Sequence, residues 1–357
     1  MDGTWEARIG EDLLAWYMYA RRDLPWRRTR DPYAIWVSEV MLQQTRVETV
    51  LRYYPAFLSA FPTVRALAGA DPDQVLKHWE GLGYYRRARM MHRGAMEIME
   101  QYGGQMPDTC EALRRIHGIG EYTAGAVASI AYGEQVPAMD GNAFRVYARL
   151  TDEEGEIDRA TTRRRLTETA MQCIPQGRAG EMNQAVMDLG SMICRPGVPD
   201  CRHCPLQVHC RARAAGRQSD LPRKTPPRQK QHFLYGMILL VNDRGEVCML
   251  KRTESLLEGL WIFPICMDAV TVERMQGVLE AHGIRCSGKV RLLGEYQHVF
   301  THQVWDITVF GARWEQGPLP EGWVWRSMTQ LQESTVPSAM RGGRNMLAEA
   351  FRADTEA

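Results

Sequence analysis

Residues 113–124 read LRRIHGIGEYTA, and this stretch indicates how the first half of the chain folds. Gly118 and Gly120, separated by one residue, permit a tight turn between two helices. The backbone amides of such a turn face outward at the start of the next helix, where they suit a phosphate group. Taken alone, the same stretch is also typical of a simple connection between two helices.

Helical spacing of apolar residues extends over most of the chain on both sides of this turn, which predicts a mainly α domain over residues 1–215. Residues 216–232 contain three prolines and five Lys or Arg residues, which is typical of a linker. Residues 233–242 and 247–252 flank a turn and predict a β-hairpin. With further strands and a helix over 272–282, they predict an α+β domain over residues 233–357.

The overall composition does not define a function. The 357 residues carry a net charge of only +1, so any basic surface for nucleic acid must be local. No apolar stretch is long enough for a membrane span, and the start lacks a signal-peptide pattern. Together with the short linker, this predicts a protein of the bacterial cytoplasm. The nine cysteines are an odd number in such a chain, which favours metal ligation and free thiols over disulfides.

Four of the cysteines lie close together in the sequence. Cys194, Cys201, Cys204 and Cys210 follow the pattern C-x6-C-x2-C-x5-C, so that short loops alone can bring four thiolates to one site. Residues 194–210 are therefore predicted to ligate a metal centre. The ligand chemistry does not distinguish zinc from an iron–sulfur cluster, because both accept four cysteines.

Two carboxylates are candidates for acid–base chemistry. Glu39 lies in an apolar helical run, where burial would raise its pKa as a general acid requires, and Gln43 follows one turn later. Asp140 precedes a helix together with Asn142, and such a carboxylate remains ionised. A protonated glutamic acid beside an ionised aspartate is what cleavage of a glycosidic bond needs. The alternatives are a partly exposed helix glutamate and an ordinary helix N-cap.

A second glycine-rich stretch, residues 81–85, reads GLGYY and is followed by several arginines. An aromatic residue on a glycine-flexed loop can enter a base stack that an enzyme has opened. The alternative is a pair of tyrosines in a protein core.

These motifs occur together, in one order, with PWR at residues 25–27, NQA at 183–185 and FTH at 300–302. The combination resembles the helix-hairpin-helix DNA glycosylases, and over nearly the whole chain it is most similar to the MutY-type adenine glycosylases. The resemblance implies an iron–sulfur cluster loop on a mainly α catalytic domain, followed by a Nudix-like α+β domain. It also implies that the four cysteines hold a [4Fe–4S] cluster with a structural role.

The resemblance further implies an activity and a role for each motif residue. The substrate would be double-stranded DNA with adenine opposite 8-oxoguanine, bound by a monomer in base excision repair. Glu39 would protonate the adenine at N7, Asp140 would stabilise the positive sugar, and Tyr122 and Asn142 would support them. The implied DNA and base contacts are Trp26, Arg27, Gln43, Gln44, Leu82, Tyr84, Gly118, Gly120, Gln184, Phe300, Thr301 and His302.

Some residues depart from the family pattern. His117 stands where relatives usually have proline, and Thr301 stands where serine is common. Tyr122 occupies the position of the Schiff-base lysine of endonuclease III relatives, which predicts a monofunctional glycosylase. Helix 272–282 has only two glutamates where an active Nudix site needs more, which predicts a recognition domain. The alternatives are an endonuclease III-like glycosylase-lyase for oxidised pyrimidines and a non-catalytic iron–sulfur DNA-binding protein.

Overall fold

In the computed structural model, which describes residues 3–226 and 229–351, helices precede a β-sheet, as the sequence predicts. Two compact units are present. The first contains the described residues up to Ala70 and those from Arg89 to Pro226. The second contains Asp71–Ala88 and the described residues from 229 onward. Residues 227–228 of the predicted linker and 352–357 of the predicted second domain lie outside the described residues.

The helices up to the linker are mostly short. In chain order they are α1 (Trp5–Ala20), α2 (Pro32–Leu42), α3 (Val47–Ala60), α4 (Val64–Ala68), α5 (Pro72–His78), α6 (Arg86–Tyr102), α7 (Cys110–Leu113), α8 (Glu121–Ala131), α9 (Gly141–Thr151), α10 (Ala160–Gln172), α11 (Ala179–Met192) and α12 (Arg211–Ala214). Helices α1, α9, α10 and α11 share one apolar core, which also contacts Cys194, Cys204 and Cys210. None of the helices in residues 3–226 and 229–351 combines the length and apolarity of a membrane span.

Helix α2 is the central helix of the first unit. Asp31 caps it by accepting a hydrogen bond from the Tyr33 amide at 3.0 Å, and Pro32 occupies the first turn. Every residue from Tyr33 to Met41 is buried, because α2 packs against both α3 and α8. Glu39 is therefore surrounded by protein.

The hairpin between α7 and α8 has the predicted turn. Gly118 has a φ of +81°, and a Cβ there would lie 2.9 Å from the Cβ of Met90, so both conformation and space require glycine. Gly120 caps α8 with an ordinary φ and has nothing within 4 Å of a Cβ position. The packing of the protein itself therefore does not require glycine at position 120.

The second unit is built on a mixed sheet. Its strands are β1 (Gln231–Val241), β2 (Val247–Lys251), β3 (Trp261–Ile262), β4 (Ile265–Met267), β5 (Arg285–Val299), β6 (Gln303–Gln316) and β7 (Trp323–Arg326). The order is β3-β2-β1-β6-β5, with β4 paired to β1 and β7 paired to β2. Strands β1 and β6 are parallel in register from Gln231↔Gln303 to Val241↔Arg313, whereas β5 and β6 form an antiparallel hairpin.

Alternation along β1 supplies two cores, one on each face of the sheet. Met237, Leu239 and Val241 belong to one core, and Ile238 and Leu240 belong to the other. The three helices of this region are α13 (Val272–Ala281), α14 (Met328–Glu333) and α15 (Arg341–Phe351). Helix α15 contributes to the first core, and α13 contributes to the second.

Candidate active site

A cavity of about 1380 Å³ opens in the first unit, where α2, α8 and α11 meet the start of α9. It is the meeting point of most residues that the sequence singled out for chemistry. Those lining it are Trp26, Arg27, Glu39, Gln43, Gln44, Gly118, Gly120, Tyr122, Asp140, Asn142 and Gln184. They come from segments more than 150 residues apart in the sequence.

Glu39 is a deeply buried acidic residue in the lining of this cavity. The residue is only 4% exposed, and the hydroxyl of Tyr122 donates a hydrogen bond to its Oε2 atom. Burial raises the pKa of Glu39 to about 7, the negative charge of Asp140 acts in the same direction, and the Tyr122 bond opposes them. Glu39 therefore gains and loses its proton near neutral pH, unlike an exposed glutamate.

Asp140 is both a helix cap and a neighbour of Glu39. Its Oδ1 accepts the Ala143 amide at 2.7 Å, and its Oδ2 accepts the side-chain amide of Asn142 at 2.8 Å. Burial raises the pKa of Asp140, whereas these two hydrogen bonds stabilise the ionised form. The N-cap alternative from the sequence is thus observed, and it holds the carboxylate in a fixed orientation.

Asn142 connects Asp140 to the cysteine loop through Arg145, a residue that the sequence analysis missed. The buried Arg145 guanidinium donates to the Asn142 side-chain oxygen at 2.7 Å and to the Cys194 carbonyl at 2.8 Å. Gly190 permits this approach, since a Cβ there would lie 2.7 Å from the Cβ of Asn142. Spacing of three along α9 places Asn142 and Arg145 on one face, a signal available in the sequence.

Arg27 owes its position to Asp188, which the sequence analysis also missed. Asp188 is fully buried in α11 and accepts hydrogen bonds from Arg22 at 2.7 Å and from Arg27 at 2.9 Å. Gln184, one turn earlier, bonds the Gly180 carbonyl at 3.0 Å and accepts from the Tyr17 hydroxyl. A carboxylate inside an apolar helix is the same signal that identified Glu39.

The four clustered cysteines line one small cavity of about 20 Å³. The Arg149 guanidinium donates to the Cys194 sulfur at 3.3 Å, and the Cys210 thiol donates to the Arg149 carbonyl. Burial raises the pKa of Cys204 to about 12, and the other three thiols add to the effect, which indicates their proximity. Within residues 3–226 and 229–351, no three His, Cys, Asp or Glu side chains are arranged to hold a metal ion.

The glycine-rich loop at residues 81–84 belongs to the second unit. Tyr84 is 49% exposed, whereas Leu82 is buried. The Tyr84 ring packs on the Arg87 guanidinium, whose carbon lies 5.5 Å from the ring centre, and Arg87 donates to the Gly83 carbonyl at 3.1 Å. The Tyr84 hydroxyl lies 3.3 Å from the Thr301 hydroxyl.

Tyr84 and Gln44 both have a backbone conformation that is uncommon for residues other than glycine. Their φ angles of +48° and +57° are in the left-handed region, which costs a non-glycine residue about 1–3 kcal/mol. Such conformations cluster at functional sites.

Residues 300–302 form the tip of the β5–β6 hairpin, closed by a hydrogen bond from the Phe300 amide to the Gln303 carbonyl at 2.8 Å. Thr301 and His302 are exposed. The Phe300 ring is half-buried and packs on Trp305 with ring centres 4.8 Å apart. Phe300 therefore anchors the tip, and its two neighbours are accessible.

The fold and the site define a base excision repair protein of the helix-hairpin-helix class. Residues 37–172 match the HhH-GPD superfamily of base excision DNA repair proteins, and residues 236–342 match the NUDIX domain family. The predicted fold class, a mainly α glycosylase domain followed by a Nudix-like α+β domain, is confirmed.

Curated relatives define the family more narrowly. The adenine DNA glycosylase of Homo sapiens is 33% identical over 92% of this chain and 72% of its own length. That of Mycolicibacterium smegmatis is 41% identical over 62% of this chain and 74% of its own. A solved thermostable thymine-DNA glycosylase is similar with a TM-score of 0.55 and 27% identity, covering 59% of this chain and 97% of that one. The chain belongs to the adenine DNA glycosylase family and is a DNA N-glycosylase, as predicted.

Proposed function

We propose that this glycosylase releases adenine opposite 8-oxoguanine or guanine in double-stranded DNA and leaves an abasic site. The observation that carries the proposal is the buried Glu39, whose pKa of about 7 matches a general acid at neutral pH, beside Asp140 in one cavity. Family membership supports adenine as the base and DNA as the partner. We also propose that the DNA is double-stranded and that the protein acts as a monomer.

The proposed reaction begins when the adenine base enters the cavity beside Trp26, Arg27 and Gln184. Glu39 gives its proton to N7, and the C1′–N9 bond breaks with its electron pair going to the base. Tyr122 donates to Oε2 of Glu39, which leaves Oε1 for the transferred proton. Asp140 stabilises the positive sugar until water adds to C1′ and gives a proton to the Glu39 carboxylate, which restores the acid.

We propose that the enzyme does not cut the strand. Strand scission by this class requires an amine that forms a Schiff base with the sugar. No lysine lines the cavity among the described residues, and Lys77 is the sole lysine in residues 1–223 of the sequence. Tyr122 lies where an endonuclease III relative would have the lysine, and it cannot form this bond.

The four cysteines are proposed to hold a [4Fe–4S] cluster. The donor chemistry fits, because four thiols line one cavity and an arginine donates to one of the sulfurs, although the described thiols are not arranged around a position for a single metal ion. Once bound, the cluster would cross-link residues 194–210 through its bonds to the four cysteine sulfurs, and it would take no part in catalysis. Arg195, Arg202 and Arg211 would then present their charges to DNA phosphates.

The second unit is proposed to recognise 8-oxoguanine. Tyr84 would enter the base stack, and residues 300–302 would contact the damaged base. The Tyr84–Thr301 hydroxyl pair supports this, because it brings two exposed polar groups together. Gln44 of the first unit would contact the lesion strand, and Gln43 would contact the DNA or the base at the catalytic cavity.

We also propose that the glycosylase domain ends at residue 215 and the Nudix-like domain begins at residue 233, with Asp71–Ala88 packed in the second unit. Leu82 is proposed to contact DNA, and the protein is proposed to act at the nucleoid in a bacterial cytoplasm.

A single-turnover assay tests the catalytic proposal. Duplexes would carry adenine opposite 8-oxoguanine, guanine or thymine, and thymine glycol opposite adenine. We expect adenine release from the first two only, an alkali-dependent strand break, and a loss of at least 100-fold with Glu39→Gln. Glu48→Gln is the matched control, because Glu48 lies at the same cavity but is exposed. Release of thymine glycol, or activity that survives Glu39→Gln, would refute the proposal.

A further inference from the structure

A separate cleft of about 250 Å³ lies in the second unit and shares no lining residue with the catalytic cavity. One wall is the glycine-rich loop, residues 80–85, and the other is residues 336–344 at the start of α15. Arg341 and Arg344 line this second wall and are exposed. Because they are three residues apart on a helix, their side chains leave α15 on the same face.

The cleft has an excess of positive charge. Among the described residues, neither Arg341 nor Arg344 forms an ion pair with a carboxylate. Glu80 is the acidic residue in the lining. Its charge is compensated by Lys77, whose ammonium lies 2.7 Å from Oε2, and by the Val336 amide at 3.4 Å from Oε1. Two cationic groups are therefore available to an anion that enters the cleft.

The two elements assigned to the lesion strand are neighbours of this cleft. The loop that forms its first wall carries Tyr84. Arg341 is close enough to His298 to lower the pKa of that imidazole, in addition to the larger effect of burial. The His298 ring in turn lies 4.5 Å from the Phe300 ring. Each DNA strand carries one phosphate per base step, so the strand that Tyr84 would enter has backbone phosphates on both sides of that step.

We propose that this cleft binds a backbone phosphate of the strand that Tyr84 enters, with Arg341 and Arg344 as the two cationic ligands. The proposal rests on the proposed function, since it takes Tyr84 as the intercalating residue. Guanidinium groups suit this role because their planar donors match phosphate oxygens.

The first test is the salt dependence of binding to a duplex with a tetrahydrofuran abasic analogue opposite 8-oxoguanine. For Arg341→Gln/Arg344→Gln, we expect the slope of log K against log salt to decrease in magnitude by about 0.9, the value for one phosphate. The matched control is Arg285→Gln, another exposed arginine of this unit, which should leave the slope unchanged. Arg341→Lys/Arg344→Lys should retain most of the slope, and equal thermal unfolding midpoints verify folding.

The second test identifies the phosphate. A neutral methylphosphonate replaces one linkage at a time within three nucleotides of 8-oxoguanine. At one linkage, we expect the methylphosphonate to weaken DNA binding by the wild-type protein about tenfold and to have little effect on binding by Arg341→Gln/Arg344→Gln. Such non-additive effects are expected when the phosphate and the arginines interact directly. Additive effects at every position, or an unchanged salt slope, overturn the proposal. If the cleft proposal is overturned in this way but the wild-type protein releases adenine opposite 8-oxoguanine, only the assignment of the cleft is wrong. If the wild-type protein does not release adenine, the proposed function has failed.

Discussion

Replacement of Glu39 by glutamine should stabilise the protein at alkaline pH while it abolishes the proposed catalysis. The pKa of Glu39 rises from its ordinary 4.5 to about 7 on folding, so the folded state binds this proton more tightly than the unfolded state. The free energy of unfolding therefore falls as pH rises from 4.5 to 7, and the loss is complete above pH 7. The difference between a pKa of 4.5 and one of about 7 corresponds to about 3 kcal/mol. Glu39→Gln removes the penalty and retains an acceptor for Tyr122.

Urea unfolding of the wild-type protein and Glu39→Gln at pH 4.5 and pH 8.5 measures this difference. We expect the variant to gain about 3 kcal/mol relative to the wild type between the two conditions, with Glu48→Gln as a control that gains little. Equal stability of the variant and the wild type at both pH values would show that burial does not raise the Glu39 pKa. The assignment of Glu39 as the acid would then lose its physical basis.

Tyr122→Phe removes the hydrogen bond that lowers the Glu39 pKa. The rate of single-turnover adenine release should therefore begin to fall at a pH about 1–2 units higher than in the wild-type protein. An unchanged pH profile would contradict this role of Tyr122. Asp188→Asn leaves the Arg27 guanidinium without its buried countercharge and should cost about 3–5 kcal/mol in urea unfolding, whereas a cost below 1 kcal/mol would contradict a structural ion pair. Cys204→Ser should lower the iron content and the visible absorbance of the purified protein, and full iron retention would exclude this ligand.

Local signals predicted much of the site. The apolar run around Glu39 predicts a buried helix, and the Asp-Gly-Asn sequence at the start of α9 predicts a helix N-cap. Both signals are contained within a few residues. Asp188 carries the same local signal as Glu39, but its partners, Arg22 and Arg27, lie more than 160 residues earlier in the chain, so the local sequence does not show which groups it binds. Helical periodicity identifies a buried face, but it does not identify the distant group that pairs with a buried charge.

The strands were predicted unevenly for a similar reason. Strand β1 is eleven residues long, and its burial on both faces makes a long apolar run. Strands β3 and β4 have only two and three residues, too few for any alternation to be visible. Strand β5 is fifteen residues long, but it contains register shifts against β6 that interrupt the alternation of its side chains.

The membership of Asp71–Ala88 in the second unit has a consequence for how the protein is made. The Lys77 ammonium on α5 bonds the carbonyl of Gln332 at 2.6 Å, a partner 255 residues later. At about 5–20 residues per second, a ribosome needs roughly 10–50 s to synthesise that interval. The residues that line the catalytic cavity all lie before residue 192. During synthesis, the groups proposed for chemistry are therefore complete well before the loop proposed to inspect the lesion has its packing partners.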